Sequence, residues 1–239
     1  MTQYQYWSFM FITTEPPQKD VYRGKSDNEH VIEADQLTEL ARIYEDGING
    51  CIFKLVCSDP VKSFSQLLIN EEPFFSFTEQ INQADDIYAF NWKRLRQIPG
   101  YDSWVQCIHH WVDVFQHLFG AKIMGLRLQS LDRPMCPKFH IDRITVRAVL
   151  TFKGQGTQWL PNHAANRSRL GIVSAGLDDD LSGVVLDQRE IQSAPEGSLM
   201  LLKGEGWEGN EGNGIIHRSP QASKFERRLM LSLDLLDND

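Results

Sequence analysis

Three side chains in this sequence have the types and spacing to hold a metal ion. His140 and Asp142 stand two residues apart, and His217 follows far downstream. If residues 139–142 form a strand, alternation puts His140 and Asp142 on one face. Two histidines and one carboxylate bind a divalent metal on one side and leave its other positions open. That arrangement suits non-haem Fe(II) and oxygen chemistry. A His-x-Asp triplet is common by chance, so the elements around it decide its weight.

Those elements read as β-structure. Residues 143–152 are rich in β-branched and apolar side chains and stop at Lys153-Gly154-Gln155-Gly156, the pattern of a strand and turn. Ala194-Pro195-Glu196-Gly197 is a tight turn, and residues 198–202 read as a short buried strand. A Gly-rich loop runs from Gly204 to Gly214 and carries Trp207 and Asn210. Its length marks it as a candidate functional lid. His217 comes next, and residues 227–234 close the chain as a long strand.

This order resembles the double-stranded β-helix core of the Fe(II)/2-oxoglutarate-dependent oxygenases over about residues 121–236. The resemblance implies a mainly β fold with α, a jelly-roll core built on residues 121–239. It implies Fe(II) held by His140, Asp142 and His217. It implies 2-oxoglutarate as cosubstrate, gripped by an arginine on the strand after the distal histidine, and oxidation of a substrate C–H bond. Arg227 and Arg228 are the candidates for the grip. Neighbours on a strand point to opposite faces. Arg227 shares its face with Leu229, Leu231 and Leu233, and Arg228 shares its face with Met230, Ser232 and Asp234. A polar pocket suits the second set, so Arg228 is favoured, with Ser232 assisting.

The stretches 136–142, 154–160 and 216–220 also resemble a bacterial family of unknown function found near zinc-homeostasis genes. That resemblance implies no established activity. It keeps open a second reading, a non-catalytic, cupin-like zinc-binding protein. Cys136 turned inward would complete a closed four-ligand site with His140, Asp142 and His217. A third reading, a degenerate fold that only recognises a partner, is disfavoured by the intact ligand set.

The 239 residues suit one structural domain, with an α-rich N-terminal part over 1–120 packed on the core. A net charge of −8 argues against general affinity for nucleic-acid backbone or anionic lipid. The four cysteines form no Cys-x-x-Cys, and no long apolar run or basic leader is present, so a cytoplasmic protein is expected. The substrate, a small molecule or a protein side chain, is not legible.

Before the core, residues 1–30 read as an irregular arm. Residues 35–46 read as an amphipathic helix through Leu37, Leu40, Ala41 and Tyr44, and 51–57 as a strand. Asp59-Pro60 opens a helix with Val61, Phe64 and Leu68 inward. Ser103 and Gln106 form a capping-box pattern ahead of a helix through Val105, Ile108, Val112, Phe115 and Phe119, ended by Gly120. That helix carries His109, His110 and His117, which read as ordinary polar positions. Residues 162–192 look like an insertion whose acidic patch, Asp178-Asp179-Asp180, reads as a solvated turn.

Overall fold

The computed structural model describes residues 30–54, 57–174, 176–221 and 226–236. The arm expected over 1–30 lies, except for His30, outside the described residues.

Strands β1 (Val31–Ala34), β2 (Gly50–Phe53), β3 (Ser76–Ile81), β4 (Met124–Leu131), β5 (Val146–Lys153), β8 (Leu199–Lys203) and β10 (Arg228–Leu235) form a seven-stranded sheet ordered β1-β2-β8-β5-β10-β4-β3. Only β1 and β2 run parallel; the other neighbours are antiparallel. Strands β6 (Gln158–Trp159), β7 (Gln192–Ser193) and β9 (His217–Arg218) form a small sheet ordered β7-β6-β9, and His140 extends it by pairing with His217. From β4 onward the chain alternates between the sheets. It runs from β4 to His140, back to β5, across to β6 and β7, back to β8, across to β9 and back to β10.

Alternation along the strands sorts the side chains into two layers. Leu126, Leu128, Ala148, Leu150, Leu229, Leu231 and Leu233 pack on the helical side, with Val61, Phe64 and Leu68 of α1 (Asp59–Glu71) and Ile108 and Val112 of α3 (Tyr101–Phe119). A four-residue helix, α2 (Asp86–Ala89), lies between them in sequence. The opposite face turns toward the small sheet. There Ile52, Val149, Met200, Leu202, Ile215 and Met230 pack with half-buried Leu131 and Trp159.

Several local expectations change. Residues 37–44 wind as a 3-10 helix that buries Leu40 and Ile43, while Leu37 and Tyr44 are exposed. At three residues per turn the buried positions recur at i and i+3, and the 3.6-residue stripe does not apply. Helix α3 begins at Tyr101 behind Gly100, whose φ of 91° puts it in the left-handed region, so Ser103 is inside the helix and caps nothing. A Cβ at Gly100 would also sit 2.6 Å from the Pro60 carbonyl oxygen, which locks the start of α3 against α1. Gly120 closes the helix at φ 61°. The β2 strand ends at Phe53. Strand β3, in a stretch with no readable pattern, has exposed or half-buried residues everywhere except Ile81, as expected at a sheet edge. No helix among the described residues is long and apolar enough to cross a membrane.

His30 is buried edge-on to Trp159, and its Nε2 lacks a partner among the described residues. Burial, reinforced by the positive charge of Arg167, pushes His30 down from 6.5 to about 4. The unfolded chain therefore binds a proton more readily than the folded one. Stability from neutral His30 is full above 6.5 and is lost as pH falls from there through about 4. The loss amounts to at most roughly 3 kcal/mol. His30→Phe should lose less stability than the wild type between about pH 7.5 and pH 4.5, read from urea midpoints. Equal acid sensitivity in both proteins would rule out His30 as the source.

Candidate metal centre

His140, Asp142 and His217 come together. One ligand atom from each lies within 4.8 Å of the other two, and no other such group of three occurs among the described residues. His140 Nε2 is 3.5 Å from Asp142 Oδ1, and His217 Nε2 is 3.5 Å from Asp142 Oδ2. Ligands about 2.1 Å from a metal and at right angles to each other lie ~3 Å apart, so the spacing admits an ion between them.

Each histidine is oriented from behind. His140 Nδ1–H donates to the Lys138 carbonyl at 2.9 Å, and His217 Nδ1–H donates to the Ile215 carbonyl at 3.1 Å. A carbonyl only accepts, so Nδ1 keeps the proton and Nε2 faces the centre. The two residues also pair through their backbones, each N–H donating to the other's carbonyl at 3.0 Å. Their flanking residues point the other way. Phe139 and Ile216 are buried under the 162–192 segment with Leu160, Ala164 and Val184.

Asp142 is not on a strand, as the spacing had suggested. It sits in an irregular turn ahead of β5, held by the Gly-rich loop. Glu205 N–H donates to the Asp142 carbonyl at 2.9 Å, Gly206 N–H to Ile144 at 3.1 Å, and Gly204 N–H to Thr145 at 3.0 Å. A side chain at Gly204 would collide with the Ile144 carbonyl oxygen, and one at Gly206 would sit 2.7 Å from that of Arg143. This part of the 204–214 loop is a cradle for a candidate ligand. Beyond it, Trp207 packs edge-on against Tyr44, and buried Asn210 donates to the Gly204 carbonyl at 3.0 Å.

Sequence reasoning missed the partner of the carboxylate. Arg147, on the inward face of β5, donates from Nη1 to Asp142 Oδ2 at 2.6 Å. Its Nε and Nη2 reach Asp234 on β10 at 2.6 and 3.0 Å. Burial disfavours charge on Asp142, but the facing His140 and His217 rings and the charge of Arg147 hold its carboxyl far below the usual carboxylate range. Burial also opposes charge on His140, yet Asp142 and the Cys136 thiol raise it to about 10. Cys136 hydrogen-bonds to His140 but falls outside the three-donor set.

Arg228 and Arg227 point to opposite faces of β10. Arg228 is buried on the inward face, where Nη2 donates to Thr151 Oγ1 at 3.1 Å and Thr157 Oγ1 at 2.9 Å, and Nε has no partner among the described residues. Burial lowers Arg228 to about 10, so it stays charged at neutral pH. Arg227 turns to the helical side, donating to the Pro73 carbonyl at 2.6 Å beside the Phe74 ring. Ser232 is buried on the face of Arg228. The α3 histidines form no centre: His109 meets Asp85 at 2.9 Å, and His117 meets Asp113.

The acidic patch corrects another expectation. Asp179 is buried, not solvated. It accepts from the Phe139 N–H at 3.1 Å and from Arg218 Nη1 at 2.7 Å. It thus ties the residue before His140 to the residue after His217. No local pattern marked this carboxylate, because its partners lie about forty residues away in either direction.

A family model described as "Protein of unknown function (DUF1826)" matches residues 34–234, and the chain belongs to that family. No curated protein matches. Among solved structures, the chain is similar to a rice dioxygenase for auxin oxidation, with 12% identity and a TM-score of 0.47, over 87% of this chain and 83% of that one. It is also similar to a Pseudomonas putida prolyl-4-hydroxylase, with 12% identity and a TM-score of 0.43, over 85% of this chain and 100% of the other. An Arabidopsis thaliana dioxygenase for auxin oxidation, in a complex with 2-oxoglutarate, has 8% identity and a TM-score of 0.46, over 87% of this chain and 92% of that one.

Asp179→Ala takes the carboxylate from the half-buried Arg218 guanidinium and leaves it Gln158 Oε1 as its hydrogen-bond acceptor, so it should cost about 3 kcal/mol. Asp180→Ala, at an exposed neighbour, should stay within about 0.5 kcal/mol. Denaturant unfolding compares the two. Similar small effects from both would sink the role of Asp179 as a clamp.

Proposed function

We propose that this protein is an Fe(II)/2-oxoglutarate-dependent oxygenase built on a double-stranded β-helix. The observation that carries this reading is the donor set. Two imidazole Nε2 atoms and one carboxylate converge, each backed by a second hydrogen bond, and the set stops at three. Three donors leave room for a bidentate keto acid and for oxygen. A closed zinc site would need a fourth donor, and Cys136 lies outside the set.

When bound, Fe(II) with 2-oxoglutarate and oxygen supplies oxidative decarboxylation coupled to oxidation of a substrate C–H bond. The chain's own residues hold and shape that chemistry. Arg228 is a permanent cation with an unengaged Nε on the inward face, suited to the far carboxylate of the dicarboxylate. Ser232 lies further along the same face toward Asp234 and Arg147, and is available to the keto-acid end. Arg147 fixes the carboxylate of Asp142, and Asp234 fixes Arg147. The buried cluster of Val149, Met200, Leu202, Ile215 and Met230 keeps water from the closed end of the inter-sheet space.

Anaerobic addition of Fe(II) and 2-oxoglutarate should produce a visible metal-to-ligand charge-transfer band that His217→Ala abolishes. A wild type with no band and tightly held zinc would favour the metal-storage reading. Arg228→Ala should weaken 2-oxoglutarate by about 30-fold or more, since removing one partner of a buried charge pair costs about 2 kcal/mol or more. Arg227→Ala should leave it nearly unchanged, and the reverse order in the titration would reassign the grip. Arg147→Met should lower Co(II) affinity about 10-fold to 100-fold, the usual range for a residue behind a metal ligand. The cobalt d–d bands report this binding, and unchanged affinity would show that Asp142 needs no such support.

A further inference from the structure

Strand β4 brings a third arginine to the inward face. Its residues alternate between buried and half-buried, with Leu126 and Leu128 on the helical side and Arg127, Gln129 and Leu131 facing the small sheet. Leu131 joins the inter-sheet cluster, which fixes the direction of that face. In register, Arg127 lies opposite Ser232 of β10 on one side and Thr78 of β3 on the other. The next row toward the metal ligands holds Gly125, Asp234 and Arg147. Strand spacings put the Arg127 and Arg147 Cα atoms ~12 Å apart, close enough for both head groups to border one site.

Arg127 differs from its neighbours in having nothing to do. Arg147 is paired with Asp142 and Asp234, and Arg228 is bonded to Thr151 and Thr157. Among the described residues, the Arg127 guanidinium makes no hydrogen bond or ion pair, although the residue is half-buried. Two polar groups beside it keep hydrogen-bonding capacity, although Gln129 Nε2 donates to Ser76 Oγ at 3.3 Å. Ser232 has no side-chain hydrogen bond among the described residues, and the buried Gln129 Oε1 has no partner. A half-buried guanidinium is expected to be paired, because its desolvation is otherwise uncompensated.

The charges of this face point the same way. Three guanidinium groups, Arg127, Arg147 and Arg228, meet two carboxylates, Asp142 and Asp234. A divalent metal adds two positive charges, and a bound dicarboxylate cosubstrate removes two. One positive charge is left over, and of the three guanidinium groups Arg127 is the one without a partner among the described residues.

We infer that Arg127, with Gln129 beside it, binds an acid group of the substrate, and that the substrate is an organic acid presenting one negative charge. This rests on the oxygenase reading for the charge balance, while the unpaired arginine and its neighbours stand without it. Arg127 donates a forked pair of hydrogen bonds to the carboxylate. Gln129 Oε1 takes any N–H or O–H that the substrate carries next to its acid. The acid is thereby held beside the metal ligands, and the remainder of the molecule faces Leu131 and Met230.

The test uses the full chain loaded anaerobically with Fe(II) and 2-oxoglutarate. The probes are 4-fluorobenzoate and its neutral analogue 4-fluorobenzamide, followed by fluorine NMR line broadening. The charge-transfer band is recorded on the same samples. The acid should bind at least about tenfold more tightly than the amide, a difference of about 1.4 kcal/mol. Arg127→Gln should remove that preference, Arg127→Lys should restore most of it, and the band should persist in all three proteins. Equal binding of acid and amide, or a preference that survives Arg127→Gln, overturns the inference. So does a loss of 2-oxoglutarate affinity in Arg127→Gln, which would make Arg127 a cosubstrate residue. A wild type with no band counts against the oxygenase reading only. In that protein, acid binding that depends on Arg127 still upholds the anion site, and its absence overturns the site.

Discussion

The candidate site depends on one backbone pair. His140 and His217 exchange N–H to carbonyl hydrogen bonds, and this places two imidazoles on the same side of the small sheet. Neither stretch is long enough to be a stable sheet alone. β9 spans two residues, and His140 contributes a single bridge. The pair survives because the residues on either side are anchored elsewhere. Phe139 and Ile216 are buried in the cluster beneath the 162–192 segment, and Asp179 bonds to both Phe139 and Arg218. A buried ion pair is costly to form and costlier to break, so Asp179 acts more as a specifier of geometry than as a source of net stability.

Asp142 is placed by different means. It lies outside any ladder, and its backbone is held by the glycine cradle at 204–206 while its side chain is held by Arg147. The cradle works because Gly204 and Gly206 bring two backbones closer than any side chain would allow. The candidate ligand set thus combines a pair on the small sheet with a carboxylate docked from the large one. Strand β5 carries Arg147, and β10 carries both Asp234 and Arg228, so one sheet face fixes the metal end and the buried cation together.

The same face explains why the inter-sheet space has two characters. Toward β1, β2 and β8 it is filled with Val31, Ile52, Met200 and Leu202. Toward β3 and β4 it is lined by Arg127, Gln129 and Ser232. Apolar side chains close one end by packing, while the polar end keeps side chains with part of their hydrogen-bonding capacity unmet among the described residues.

Much of this was legible from residue order. Period-two alternation in the last strand separated Arg228, Ser232 and Asp234 from the leucines, since side-chain direction in a strand depends only on parity. The types His140, Asp142 and His217 named a candidate metal-binding set, because ligand atoms are a property of the residue. What the sequence could not determine are contacts whose partners are far apart in the chain. The 3-10 winding of 37–44, the start of α3 at Tyr101, and the burial of Asp179 were all decided by packing against distant elements. So were the pairing of Arg147 with Asp142 and Asp234 and the lack of a partner for the Arg127 side chain among the described residues. Local sequence sets which groups a residue offers and which way a strand turns them. Only the tertiary structure decides which offers are met, because a hydrogen bond or an ion pair needs its second partner within a few ångströms.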